Sequence, residues 1–203
     1  MLSLDQKYEH ILSQERRWAK RVSRAVLTPR PIGVWEVLIP VLLVFNHVRW
    51  KGAREVFEKN LLFTKELALD AAMALAKGDR KRDEVLTGIR EKTSSLLASD
   101  SQGVYSETIR NRQLEEIELL IDHYRSLLRT EGNDYTSLLT RAYGGLDRYR
   151  AFLEKLRAAE KAVNFAAIET LGTRADRKML SDIERFSHQA REAVAREIFR
   201  DAW

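Results

Sequence analysis

The chain has 203 residues, of which 44% are hydrophobic and 32% charged, with a formal net charge of +5. A chain of this length buries a proper core and is read as one domain, 1–203, of a folded and not a disordered protein. The absence of cysteine excludes disulfides, zinc–thiolate sites, cysteine-ligated iron–sulfur clusters and thiol catalysis.

The positive charge is concentrated. Residues 1–60 hold eleven Lys or Arg against six Asp or Glu, whereas residues 61–203 hold 24 of each. Only three prolines occur, all between positions 29 and 40, and glycine is scarce, which favours helix nearly everywhere else. Met1 to Gln14 is charged and amphipathic where a signal peptide needs an apolar stretch, so a cytoplasmic protein is expected.

Leu4, Tyr8, Ile11, Leu12, Trp18, Val22, Ala25 and Val26 recur at helical spacing and predict a first helix from about Leu4 to Leu27. On it, Arg16, Arg17, Lys20, Arg21 and Arg24 share an arc of roughly 140°, at 100° per residue, and Arg30 adds a sixth cation. No acid lies between Glu15 and Glu36. Thr28-Pro29-Arg30-Pro31 then ends the helix, because a residue before proline is pushed out of helical geometry.

Ile32 to Phe45 (IGVWEVLIPVLLVF) follows, with eleven apolar residues in fourteen. As a helix it is about 21 Å long, short of a hydrocarbon core of about 30 Å, so a single membrane span is not expected. Its first reading is a central bundle helix, its second a membrane-interface or re-entrant segment, its third an oligomer seam. Trp35 and Trp50 lie near its ends, and His47, Arg49, Lys51 and Arg54 follow it. The second helix is expected from near Ile32 to Lys77, kinked between Glu36 and Pro40, where proline lacks an N–H and clashes one turn back.

Lys77-Gly78 signals a helix end, with Asp79 as the expected cap of a third helix from about Arg80 to Leu97. Residues 98–104 read as a polar loop, and a fourth helix runs from about Ser106 to Thr130. Asp134 is the expected cap of a fifth helix whose stripe passes through Tyr135, Leu139, Ala142, Leu146, Tyr149, Leu153, Leu156, Glu160, Val163 and Ala167. Gly144 and Gly145 fall inside it. The stripe keeps phase across them, so a continuous helix with a bendable spot is preferred to a break, and Leu146, Tyr149 and Leu153 should be buried. Leu171-Gly172 closes it. Thr173-Arg174-Ala175-Asp176 resembles a capping box for a last helix carrying Met179, Ile183, Phe186, Ala190, Val194 and Ile198. The predicted architecture is therefore all-α, a mostly antiparallel bundle of about six helices.

No signature of catalysis is present: no P-loop, no dinucleotide-binding glycine fingerprint, no Gly-x-Ser-x-Gly elbow. None of His10, His47, His123 and His188 has Glu three residues before it, as a di-iron bundle requires, and Glu184 with His188 reads as a surface pair. Glu115, Glu118 and Asp122, with Glu116 adjacent, read as an exposed acidic face and not as metal ligands. No catalytic residue, metal or cofactor is assigned.

Three functional readings follow. The first is a non-catalytic interaction or adaptor protein with an unidentified protein partner, self-association included. The second is a peripheral protein at the inner face of a membrane. It would contact anionic lipid through Arg16, Arg17, Lys20, Arg21, Arg24 and Arg30 and use Trp35, Glu36, Pro40 and Trp50 of the apolar segment. The third is an enzyme or ligand carrier with a pocket between helices. Nucleic acid is disfavoured, since no helix-turn-helix glycine, aromatic RNA-binding motif or zinc module accompanies the cations.

Overall fold

The computed structural model describes residues 1–27 and 53–200. Among them are seven α-helices and no strand, so the all-α class is established. The helices are α1 (Leu4–Val26), α2 (Ala53–Lys77), α3 (Arg82–Ser99), α4 (Glu107–Arg129), α5 (Tyr135–Tyr143), α6 (Leu146–Leu171) and α7 (Arg177–Arg200), with a 3-10 turn at Gly172–Arg174. Each helix touches the next in the chain, and from α2 onward the connections are short, as is usual between antiparallel bundle neighbours.

The helix ends follow local chemistry. Ser3 Oγ accepts from the Gln6 N–H at 3.2 Å while Gln6 Oε1 accepts from the Ser3 N–H at 2.8 Å, a reciprocal capping box for α1. α2 stops where Gly78 takes φ +79°, and the Asp79 N–H reaches back to the Ala74 carbonyl at 3.2 Å. Ser106 and Asp134 cap α4 and α5 with their side-chain oxygens.

α4 is the axle of the bundle. It packs chiefly against α2 and α6 and also meets α1, α3 and α5. Ile109, Ile117, Leu120, Ile121, Tyr124, Leu127 and Leu128 are essentially inaccessible to solvent. The main core assembles around it from Ile11 and Leu12 of α1, Leu69 and Ala72 of α2, Ile89 of α3, Leu139 of α5, Leu153 of α6 and Phe199 of α7. A second cluster joins Trp18, Val22 and Val26 of α1 to Phe57 and Leu62 of α2 and Met179 of α7.

Three expectations are corrected. The long fifth helix is two helices: Gly144 adopts φ +67° and its N–H closes α5 on the Thr140 carbonyl at 2.7 Å, with Gly145 extended behind it. A left-handed residue with a Cβ costs roughly 1–2 kcal/mol, so glycine suits the position. Tyr149 and Leu153 are buried as expected, whereas Leu146, next to the break, is only half-buried. The second correction concerns α3. Asp79 is spent in the turn after α2, and the cap position falls to Lys81, whose N–H donates to Glu84 Oε2 at 3.0 Å. The third concerns α7: Thr173 lies in the 3-10 turn, and Asp176 itself caps, accepting from the Met179 N–H at 2.9 Å. The expected start of the second helix at Ile32, its kink at Pro40 and the environment of Trp35 lie outside the described residues.

Leu153 is 3% exposed, in the main core. Leu153→Ala is expected to lower stability by roughly 2–5 kcal/mol in urea denaturation. A loss below about 0.5 kcal/mol would be that of a surface position and would contradict the packing.

Candidate functional site

The expected site on α1 divides into two parts. Arg16, Arg17, Lys20, Arg21 and Arg24 are all exposed on one side of the helix, while Trp18, Ala19, Val22 and Val26 are buried on the other. The periodicity that separates these faces is a property of the helix alone, which is why the sequence shows it. Arg30, Trp35, Glu36, Pro40 and Trp50 lie outside the described residues. Arg16, Arg17, Lys20 and Arg21 make no ion pair with any described residue. Some other arginines at the surface are matched, Arg82 to Asp122, Arg90 to Glu118 and Arg112 to Glu115, whereas Arg80, Arg129, Arg148 and Arg177, each on its own stretch of chain, make no ion pair with any described residue either. The acidic row of α4 is thereby occupied by neighbouring cations, and Glu184 pairs with Arg157 and not with His188.

On the buried side of α1 lies a charged layer. Lys65 of α2 bridges Glu116 of α4 at 3.4 Å and Glu160 of α6 at 3.3 Å. Arg191 of α7 grips Glu160 with both terminal nitrogens, at 2.6 and 2.7 Å. The Thr64 hydroxyl donates to Glu116 at 2.9 Å. Trp18 of α1 completes the layer, with the Lys65 ammonium 4.6 Å and the Arg191 guanidinium 4.5 Å from its ring centroid, both within cation–π range. Two cations and two carboxylates balance, so helices from across the bundle meet at a neutral but fully charged point.

Burial shapes the titration of this layer. It pushes Glu116 above the ordinary carboxylate range despite the charge of Lys65. Burial would raise Glu160 too, but the charges of Arg191 and Lys65 and their hydrogen bonds outweigh it and hold that carboxyl down to about 2.

Beside the layer, α1, α4, α5, α6 and α7 enclose a cavity of about 50 Å³. Arg17, Arg21 and Glu15 line it from α1, His123 from α4, Tyr135 from α5 and Tyr149 from α6. His123 stacks on Phe152, with ring centroids 4.2 Å apart, and its Nδ1 shares a hydrogen bond with the Tyr143 hydroxyl at 2.6 Å. Burial, helped by the charge of Arg191, pulls His123 down to about 3, so the ring is neutral. Burial above all keeps Tyr135 and Tyr149 protonated, with the Glu15 charge adding to it.

Sequence reasoning missed the layer and the cavity. Thr64 and Glu160 each occupy a place in an otherwise apolar stripe, and Glu116 precedes Ile117 on the core side of α4. A polar residue in phase with a core stripe was the available signal.

Two predictions follow from this geometry. Lys65→Met leaves the buried Glu116 carboxylate without its cation, while Arg191 still holds Glu160, and is expected to cost roughly 3–5 kcal/mol, much of it recovered when Glu116→Gln is added. Strictly additive losses in the double-mutant cycle would show that the two side chains are not coupled. The second concerns acid. The folded pKa of His123 lies below its unfolded value of 6.5, so the unfolded chain takes up the proton first. The stability contributed by the neutral ring is full above about 6.5 and is lost as the pH falls toward about 3. Glu160 acts in the same sense from 4.5 down to about 2, whereas raised Glu116 loses stability as the pH climbs through its folded value. Between pH 6.5 and 4.5 the gap in stability between the wild type and His123→Gln is therefore expected to shrink with acid. Parallel denaturation curves across that window would disprove it.

Comparison of the chain with models of known protein families, with curated proteins and with solved structures finds no match.

Proposed function

We propose that the chain is a non-catalytic interaction protein that docks on an anionic lipid surface through the outward face of α1. The observation that carries this is the set of exposed cations, four of them without an ion pair to any described residue, on a helix whose other face is fastened into the core. Unpaired guanidinium and ammonium groups keep their full hydration and their full attraction for anions, whereas cations already paired across the surface have little left to offer. The core fixes the rotation of α1, so the cations present on one side of the helix and only their side chains have to order on binding. No described helix is long and apolar enough to cross a membrane. The apolar run Ile32 to Phe45, which follows α1 in the sequence, supplies the hydrophobic partner that a polybasic helix needs for lasting attachment.

Each cation near an anionic leaflet contributes about 1 kcal/mol, so the five together contribute about 5 kcal/mol at most before screening. Replacing Arg16, Arg17, Lys20, Arg21 and Arg24 by Gln is therefore expected to weaken binding to phosphatidylserine-containing vesicles by about a thousandfold in co-sedimentation. Wild-type binding should fall steeply with salt and be slight on phosphatidylcholine alone. Equal sedimentation of the two proteins, or equal binding to neutral vesicles, would refute the reading. Retention of an acidic protein but of no vesicle would refute the lipid and point to an adaptor using the same row.

A further inference from the structure

The cavity next to the charged layer has the makings of a site. Its walls are apolar over most of their area, from Phe152, Leu153, Leu156 and Val194. Two polar groups on nine-tenths-buried lining residues are left over. The Trp18 indole N–H is buried without a hydrogen-bond partner, although Trp18 is only 8% exposed. His123, 6% exposed, uses Nδ1 on Tyr143, and its Nε2 has no hydrogen bond to any described residue. A buried donor left unsatisfied is a standing penalty in the fold, and an acceptor that reaches the indole removes it.

Charge narrows the choice of that acceptor. Arg191 is neutralised by Glu160, which leaves Arg17 and Arg21 against Glu15 on the cavity lining, two cations to one acid. Arg17 and Arg21 are exposed and have no ion pair among the described residues, so the balance at the opening is one positive charge in excess. Size narrows it again. A water needs about 10–15 Å³ of such volume, so about 50 Å³ is room for about four waters, or for one short molecule whose bonded atoms lie closer together than waters do.

We infer that this cavity is a binding site for a small organic monoanion, a carboxylate with a short apolar body. The body lies against Phe152 and Leu153, and the carboxylate accepts from the Trp18 N–H and faces the guanidinium groups of Arg17 and Arg21. The site shares Arg17 and Arg21 with the lipid-docking row but not Arg16, Lys20 or Arg24, which do not line the cavity, so the two can be tested apart.

Butyrate is the probe, with butyramide as its neutral counterpart and tetramethylammonium as a cation of similar bulk. In nitrogen-edited NMR of the full chain, butyrate is expected to shift the Trp18 indole signal saturably, and the signal is assigned by its loss in Trp18→Phe. Butyramide should bind about tenfold more weakly or worse, the worth of hydrogen bonds to a charged group. Arg21→Gln, on an exposed side chain that the fold does not need, should weaken butyrate binding several-fold. Joint replacement of Arg16, Lys20 and Arg24 should leave it unchanged while reducing vesicle binding, so the two sites fail separately. Shifts that never saturate, equal binding of butyramide, or indifference to Arg21→Gln would overturn the inference. Preferred binding of tetramethylammonium would overturn it in favour of a cation held by Glu15 and the aromatic rings.

Discussion

Five of the seven described helices meet at the contact between Glu160 and its two cations. Lys65 comes from α2, Arg191 from α7 and the second carboxylate, Glu116, from α4, while Trp18 brings in α1. Taking such charges out of water costs several kcal/mol per ion, and their mutual attraction returns that only when the geometry is right. The quartet therefore adds little net stability over a well-packed apolar alternative. Its effect is selective. A slide of α7 by one turn would move Arg191 by about 5.4 Å along the helix axis and leave Glu160 buried with half its compensation. Apolar contacts tolerate such slides far better than a bidentate pair does.

The same layer explains how α1 can be polar on one side without floating free. Its inward face holds Trp18, whose ring sits against both cations, and Val22 and Val26, which meet Phe57 and Met179. The charge on the inward side is internally matched. On the outward side Arg16, Arg17, Lys20 and Arg21 make no ion pair with any described residue, so the two faces of one helix differ in how their cations are held.

How much of this was legible in the sequence depended on the range of the interactions involved. Helix ends set by one or two neighbouring residues were legible: Gly78 after Lys77, Asp134 before Tyr135, Gly172 after Leu171. The outward cations of α1 were legible because three-to-four spacing alone assigns them a side. The break at Gly144 was not, because the chain turns there by an amount that returns Tyr149 and Leu153 to the core, and a spacing argument sees only that the apolar phase is kept. The cap of α3 was misplaced for a related reason: the turn closing α2 used Asp79 before α3 could. The quartet was least legible of all. Lys65, Glu116, Glu160 and Arg191 stand 126 residues apart from first to last and converge only after four helices have packed.

The close of α1 on α2 has a consequence for how the chain tolerates change. The Ser23 hydroxyl donates to Glu58 at 2.6 Å, and Val26 and Phe57 share a cluster, so the end of α1 lies beside the start of α2. The helices on either side are held by their own contacts and not by the length of what connects them. Loop-closure entropy changes by only about 0.6 kcal/mol for each halving or doubling of length. In those terms the number of residues joining α1 to α2 matters less to the scaffold than the contacts of Ser23, Val26 and Phe57, which hold the end of α1 on the start of α2.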